Sequence, residues 1–119
     1  MDRGGREGEM MLSTHVLDVS RGVPAAGIEV TLHRLSGGDR SFVARSQTDK
    51  DGRIDDFTGD PLQPGSYELV FAVAAYFTRT ATASLYDEIP VRLRIESSSV
   101  KYHVPLLLAP YGYSTYRGS

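Results

Sequence analysis

Hydrophobic and polar residues alternate with a period of two along much of this chain. In segment 28–33, the apolar residues Ile28, Val30 and Leu32 are each followed by a polar residue. Residues 91–96 repeat the alternation. This pattern is typical of β-strands with one buried face and one face in water. We therefore predict two half-buried strands.

Segment 67–74 has a different pattern, because it is apolar on both faces except at Glu68. A strand of this kind belongs in the centre of a sheet or against a partner subunit. A short helix is predicted over 78–89, although its threonines have weak helix propensity. Further strands are predicted at 13–19, 42–48 and 100–108.

Turn-forming residues separate these segments. Glycine and proline interrupt the pattern at 21–24, 36–39, 51–52 and 63–65. Short strands between frequent turns indicate an all-β sandwich or barrel.

Composition limits the number of domains and the kinds of partner. The 119 residues, 40% of them hydrophobic, have the size of one domain. Residues 1–11 lack a periodic apolar face, so we predict a flexible N-terminal tail and a domain over 12–119. The formal charge of -2 gives no attraction for nucleic acid.

The chain lacks the residues that several kinds of site and segment require. The chain has no cysteine, which removes disulfides, thiolate metal sites and thiol nucleophiles. Its longest apolar run, 69–77, is too short to span a membrane. No N-terminal apolar leader precedes the first strand, so we expect a cytoplasmic protein with no membrane partner.

Three histidines are candidates for chemistry. His33 lies on the polar face of its strand and is expected to be a solvated surface imidazole. His15 shares a strand face with Leu17, and His103 lies in an otherwise apolar strand. Taken separately, each is more simply interpreted as a structural histidine satisfied by backbone groups.

An aspartate-rich segment surrounds the third predicted turn region, 51–52. Its spacing does not fit a calcium-binding EF-hand loop, since Ile54 and Asp60 occupy the positions that require Gly and Glu. We expect a turn with solvated carboxylates and no metal site. Arg53 is the cation there whose planar guanidinium suits the carbonyl oxygens of a polar heterocycle. The aspartates are Asp49, Asp51, Asp55, Asp56 and Asp60.

The C-terminal decapeptide 110–119 combines three tyrosines with an arginine and two glycines. Tyrosine rings provide amphipathic contact area at low entropic cost. The segment is therefore interpreted either as an oligomer contact or as the wall of a pocket.

Taken together, six motifs closely resemble the 5-hydroxyisourate hydrolases, the transthyretin-like proteins of urate degradation. The motifs are LSTHVLD at 12–18, PAAGIEV at 24–30, TDKDGR at 48–53, GSYELVF at 65–71, YHVPLLL at 102–108 and GYSTYRGS at 112–119. The resemblance implies a transthyretin-like β-sandwich of two four-stranded sheets with one short helix. It also implies a homotetramer with active sites at the dimer–dimer interface.

The implied reaction is hydrolysis of 5-hydroxyisourate to 2-oxo-4-hydroxy-4-carboxy-5-ureidoimidazoline, without a cofactor. By the same resemblance, the catalytic residues are His15, Arg53, His103 and Ser119, and the substrate-binding residues are His15, Arg53 and Tyr116. The chain departs from the family at Lys101, where many members have a histidine.

Two alternatives without catalysis stay open. One is a transthyretin-like carrier that binds a small ligand, and the other is a structural sandwich whose edge strands mediate assembly. Transthyretin lacks the YRGS terminus and the paired site histidines. Their joint presence here favours the hydrolase.

Overall fold

The structure is a computed structural model and describes residues 12–118. The predicted tail 1–11 and Ser119 lie outside the described residues. In chain order the elements are β1 Leu12–Asp18, β2 Val23–Pro24, β3 Glu29–Ser36, β4 Asp39–Gln47, β5 Arg53–Ile54, β6 Gly65–Ala72, α1 Ala74–Arg79, β7 Ile89–Ile95, β8 Tyr102–Ala109 and β9 Gly112–Thr115.

The strands form two sheets. One has the order β4-β3-β6-β7, and the other has the path β2-β1-β8-β9, with β5 also paired to β1. Strand β8 pairs with the whole length of one edge of β1. The short strands β2 and β5 both pair with the other edge of β1, one after the other. The β1–β8 pairing is parallel. The all-β sandwich of two sheets with one short helix is thereby confirmed, and the two-residue strand β5 gives the second sheet a fifth strand beyond the four expected.

The core lies between the sheets and draws side chains from both. Leu32, Leu69 and Phe71 of one sheet and Leu106 and Leu108 of the other are completely buried. Exposed residues alternate with more buried ones along β7, as the period of two predicted, whereas the polar Thr31 and His33 of β3 are half-buried beside the buried Val30 and Leu32. Burial of a large aliphatic or aromatic side chain stabilises a fold by about 1.5–3 kcal/mol. The packed core between the sheets therefore fixes the strands, and with them the side chains on the outer faces.

Strand β6 is central in its sheet, between β3 and β7, which confirms the prediction for the segment apolar on both faces. Its one acidic residue, Glu68, is buried and contacts Arg40 at 3.0 Å and Arg92 at 3.1 Å. Burial alone would raise the pKa of this carboxyl, but the two guanidinium groups outweigh burial and hold the pKa below its usual value. The charge of Glu68 is thus neutralised by its neighbours in the fold.

The helix prediction was wrong in position. The helix spans Ala74–Arg79, at the end of the apolar run, whereas 78–89 was predicted. Tyr76 and Phe77 of the helix are buried in the core, so packing stabilises it. The helix ends where the Thr80 hydroxyl bonds the carbonyl of Tyr76 and where Ala81 adopts a positive φ of 53°. Within residues 12–118 no helix is long and apolar enough to cross a membrane.

A buried carboxylate ties this helix to β1. Asp18 accepts hydrogen bonds from the Tyr76 hydroxyl at 2.7 Å, the Ser20 hydroxyl at 2.7 Å and the backbone amides of Ser20 and Arg21. Burial alone would raise the pKa of Asp18, but these hydrogen bonds together hold it below its usual value. The ionised form of Asp18 therefore stabilises the fold.

Replacement of Tyr76 with phenylalanine removes one donor from Asp18 and is expected to lower the free energy of unfolding by about 2 kcal/mol at pH 7. Because the folded-state pKa of Asp18 is depressed, its stabilisation is present above the ordinary carboxyl pKa and is lost as pH falls through the lower folded value. The difference between Tyr76→Phe and the unmodified chain should thus shrink at acidic pH. Urea denaturation at pH 7 and pH 3 measures both values, and an equal difference at the two pH values would contradict this role of Asp18.

Candidate active site

Three strands bring the predicted site residues together. Strand β1 lies between β5 and β8, and its residues His15 and Ser13 pair with Arg53 and His103, respectively. Paired residues on neighbouring strands point to the same side of a sheet. The four side chains therefore share the outer face of this sheet, which we call the site face. Leu12 and Val16 on the other side of β1 are buried in the core.

His15 is held by a backbone carbonyl. Its Nε2 lies 2.9 Å from the carbonyl oxygen of Asp51 in the turn before β5. A carbonyl oxygen only accepts, so Nε2 carries a hydrogen and donates it. The lone pair of the neutral His15 ring is then on Nδ1.

His103 is half-buried, and its Nδ1 lies 2.8 Å from the hydroxyl oxygen of Ser13. Burial lowers the pKa of His103, and the neighbouring cations Arg53 and Lys101 lower it further. Its imidazole is consequently neutral near neutral pH. A neutral imidazole can accept a proton or share a hydrogen bond with substrate.

A tight turn positions Arg53 at the start of β5. The Asp49 carboxylate accepts hydrogen bonds from the backbone amides of Asp51 and Arg53, each at 2.9 Å. These bonds, led by that from Arg53, outweigh desolvation and lower the pKa of Asp49. Gly52 has a φ of +76°, and its carbonyl accepts the Val16 amide of β1 at 2.7 Å. The aspartate-rich segment thus contains a turn that attaches Arg53 to β1.

The C-terminal segment returns to the site. The Gly118 amide donates to the carbonyl of His103 at 2.7 Å, forming a single antiparallel bridge. A Cβ on Gly118 would lie only 2.6 Å from His103 Cδ2. A larger residue would therefore displace either the imidazole or the chain terminus. Ser119, a predicted catalytic residue, follows Gly118 and lies outside the described residues.

Tyr116 and Arg117 flank this bridge. Both line an open depression of about 490 Å³, together with Lys101 and Gly118. The Arg117 guanidinium lies 4.8 Å from the centre of the Tyr102 ring and donates to the Lys101 carbonyl at 3.3 Å. Tyr116 is 55% exposed. If it contacts substrate as predicted, the substrate therefore binds on the open site face.

Other groups lie away from the site. His33 is in the other sheet, where its Nε2 lies 3.0 Å from the Thr31 hydroxyl and its ring meets Phe42 edge to face. A groove of about 430 Å³ between β7 and the C-terminal segment opens between the two sheets; Tyr116 and Arg117 line it, but His15, Arg53 and His103 do not. Among residues 12–118, no group of three or more His, Asp and Glu residues could hold a metal ion.

Sequence reasoning missed Ser13 as a site residue. Its position two residues before His15 placed it on the same strand face, but its contact with His103 depends on the β1–β8 register. The roles of Asp49 in fixing the turn and of the Asp51 carbonyl in holding His15 were also missed. Every residue has a backbone carbonyl, so the residue type at position 51 could not reveal that its carbonyl binds His15.

The fold and this face define a class: small β-sandwich proteins that carry two histidines and an arginine on one sheet. The model of the HIUase/Transthyretin family matches residues 12–118. The chain belongs to the HIUase/Transthyretin family. The resemblance seen in the motifs is thereby confirmed.

Individual relatives agree with this family. The 5-hydroxyisourate hydrolase of Mesorhizobium japonicum is 44% identical over 122 residues, which cover 98% of this chain and 94% of that protein. The structure of Klebsiella pneumoniae 5-hydroxyisourate hydrolase is similar with a TM-score of 0.81 and 40% identity, covering 91% of this chain and 98% of that one. Sea bream transthyretin in complex with thyroxine has a TM-score of 0.83 at 24% identity, covering 90% and 93%, and shows the fold alone.

Proposed function

We propose that this chain hydrolyses 5-hydroxyisourate to 2-oxo-4-hydroxy-4-carboxy-5-ureidoimidazoline, a step of urate degradation. The observation that carries the proposal is the register of β5, β1 and β8, which places His15, Arg53 and His103 on one face. The name of the Mesorhizobium japonicum relative, which matches almost the whole chain, supports the same substrate.

The reaction breaks a cyclic acyl–nitrogen bond. It needs a nucleophilic water, a stabilised oxyanion and a protonated leaving nitrogen. One of the two imidazoles, His15 or His103, takes a proton from water, and the other orients that water or the leaving group. Arg53 binds ring oxygens of the substrate and stabilises the oxyanion through charge-assisted hydrogen bonds. Tyr116 bounds the substrate, and Ser119 orients a histidine through its hydroxyl.

A rate assay tests this proposal. Urate oxidase generates 5-hydroxyisourate in the cuvette, and the decay of its absorbance is followed with and without the protein. Since the substrate also decays spontaneously, only acceleration proportional to protein concentration counts. No acceleration would contradict the proposed function and favour the carrier alternative.

We further propose a homotetramer with sites at the dimer–dimer interface. The site is an open sheet face in one chain, and Val19, in the turn that follows β1, is 54% exposed. Leu85 and Tyr111 are each 68% exposed. Covering these apolar groups with a second copy would enclose the substrate and bury hydrophobic area. Analytical ultracentrifugation tests the proposal, and a monomer at micromolar concentration would contradict it.

The proposed reaction uses water, two imidazoles and one guanidinium, so it requires no metal ion or cofactor. Dialysis against EDTA should leave the rate unchanged. A cytoplasmic location stays a prediction from the sequence, and subcellular fractionation of the host tests it.

A C-terminal extension should impair catalysis because the described chain reaches the His103 bridge at Gly118. Residues added after Ser119 would lengthen a terminus predicted to orient a histidine, and displaced catalytic groups commonly cost about tenfold or more in rate. We expect kcat/KM to fall at least about tenfold with a C-terminal hexahistidine tag and to stay unchanged with the same tag at the N-terminus. Equal values for the two proteins would contradict a role for the terminus.

A further inference from the structure

Ser13 occupies a position that the proposed mechanism does not use. It is 6% exposed on β1, directly opposite His103 on the parallel strand β8. Its hydroxyl oxygen lies 2.8 Å from His103 Nδ1. A hydroxyl can either donate to an imidazole nitrogen or accept from it. The direction of this bond decides which nitrogen of His103 carries the hydrogen.

The surroundings favour donation by Ser13. A buried hydroxyl hydrogen needs an acceptor, and within residues 12–118 the Nδ1 of His103 is the one hydrogen-bond partner of the Ser13 hydroxyl. Burial and nearby cations lower the pKa of His103, so the ring is neutral and has one nitrogen lone pair to offer. With that lone pair on Nδ1, the hydrogen of His103 is on Nε2.

His15 has a different arrangement at its two nitrogens. Its Nε2 hydrogen is donated to the Asp51 carbonyl, which leaves Nδ1 with the lone pair. In His103 the lone pair is occupied by Ser13, while within residues 12–118 Nε2 has no hydrogen-bond partner. Among the described residues, the first ring thus has a free acceptor and the second ring has a free N–H donor.

We propose that Ser13 is a positioning residue that holds His103 in the Nε2–H form, so that His103 donates a hydrogen bond to substrate and His15 acts as the base. The assignment of roles rests on the proposed function. Water transfers a proton to His15 Nδ1 while its oxygen bonds to the ring carbonyl carbon. The carbon–nitrogen bond then breaks, His15 returns the proton to the leaving nitrogen, and the new carboxylic acid ionises to solvent.

The tautomer is measured directly by long-range ¹H–¹⁵N correlation spectra of the imidazoles in ¹⁵N-labelled protein, with His15→Gln and His33→Gln variants for assignment. At a pH above the titration of His103, the expected spectrum has a protonated Nε2 and an unprotonated, hydrogen-bonded Nδ1. In Ser13→Ala the Nδ1 resonance should move toward that of a free acceptor. A protonated Nδ1 in the unmodified protein would overturn the proposal.

Kinetics test whether the hydrogen bond matters for turnover. Ser13→Ala is expected to lower kcat about tenfold with little change in KM, since one hydrogen bond to a reacting group is lost. Ser13→Thr keeps the hydroxyl and should restore most of the rate. Thr31→Val is the matched control, because it removes the hydroxyl partner of His33 outside the site.

Each outcome has a separate meaning. Unchanged kcat in Ser13→Ala, or a Ser13→Thr variant as slow as Ser13→Ala at equal thermal stability, would overturn the positioning role. If Ser13→Ala fails to fold, the tautomer of the unmodified protein and the rate of Ser13→Thr decide. If the unmodified protein does not accelerate hydrolysis, the proposed function is wrong, and the spectra still test the Ser13–His103 bond.

Discussion

Alanine in place of Arg53, His15 or His103 is expected to lower kcat/KM for 5-hydroxyisourate by at least about 100-fold in each case. Removal of Arg53 takes away the cation that would stabilise the oxyanion, and removal of a histidine takes away the base or its partner. Because the residues act on one transition state, the double variant of His15 and His103 should be little slower than the slower single variant. Initial rates on substrate generated in situ measure all four variants.

Controls come from the other sheet. His33→Ala removes an imidazole that is half-buried like those of His15 and His103, and Arg45→Ala removes an arginine paired with Glu29 at 3.3 Å. Both variants should keep nearly full activity, because neither side chain lies on the site face. Rates close to that of the unmodified protein in all three site variants would contradict the assignment of this face as the active site.

Alanine in place of Gly52 is expected to lower the free energy of unfolding by about 3 kcal/mol. A Cβ at this position would overlap the Val16 carbonyl oxygen and lie 3.2 Å from Pro24 Cβ, and the φ of +76° is itself unfavourable for alanine. Because Gly52 lies between Asp51 and Arg53, the rate should fall together with stability. Urea denaturation and the hydrolysis assay on the same preparation measure the two effects.

Gly22→Ala separates backbone strain from steric overlap. Gly22 has a similar φ of +72°, but a Cβ there would meet nothing within 4 Å. We expect a loss of about 1 kcal/mol, the cost of a left-handed alanine, and no change in rate. Equal losses in the two variants would show that the close approach of Gly52 to β1 contributes nothing.

Local signals predicted part of the fold well and part of it poorly. The alternation in β3 and β7 was sufficient to identify both strands, since period and burial coincide there. Strands β2 and β5 have two residues each, too few for any period to be seen. Strand β9 lies in the tyrosine-rich C-terminal segment, where three of its four residues are exposed.

The helix was predicted in the wrong place because the local pattern there is also ambiguous. The apolar residues around Tyr76 and Phe77 fit a buried strand as well as a buried helix, and local propensity does not choose between them. The choice depends on what covers each side chain in the folded chain. Here both rings pack in the core, and the Tyr76 hydroxyl bonds Asp18, 58 residues earlier in the chain.

The sequence alone determined the class of fold, the absence of thiol chemistry and, through its motifs, the identity of the candidate residues. It could not show that His15, Arg53 and His103 share a face, because residues so far apart along the chain meet only through the register of β1 with β5 and β8. Tertiary structure alone also decided which group holds Nε2 of His15 and which holds Nδ1 of His103. Those partners are a backbone carbonyl and a hydroxyl on another strand, and long-range backbone geometry, which is not encoded by neighbouring residues, places them there.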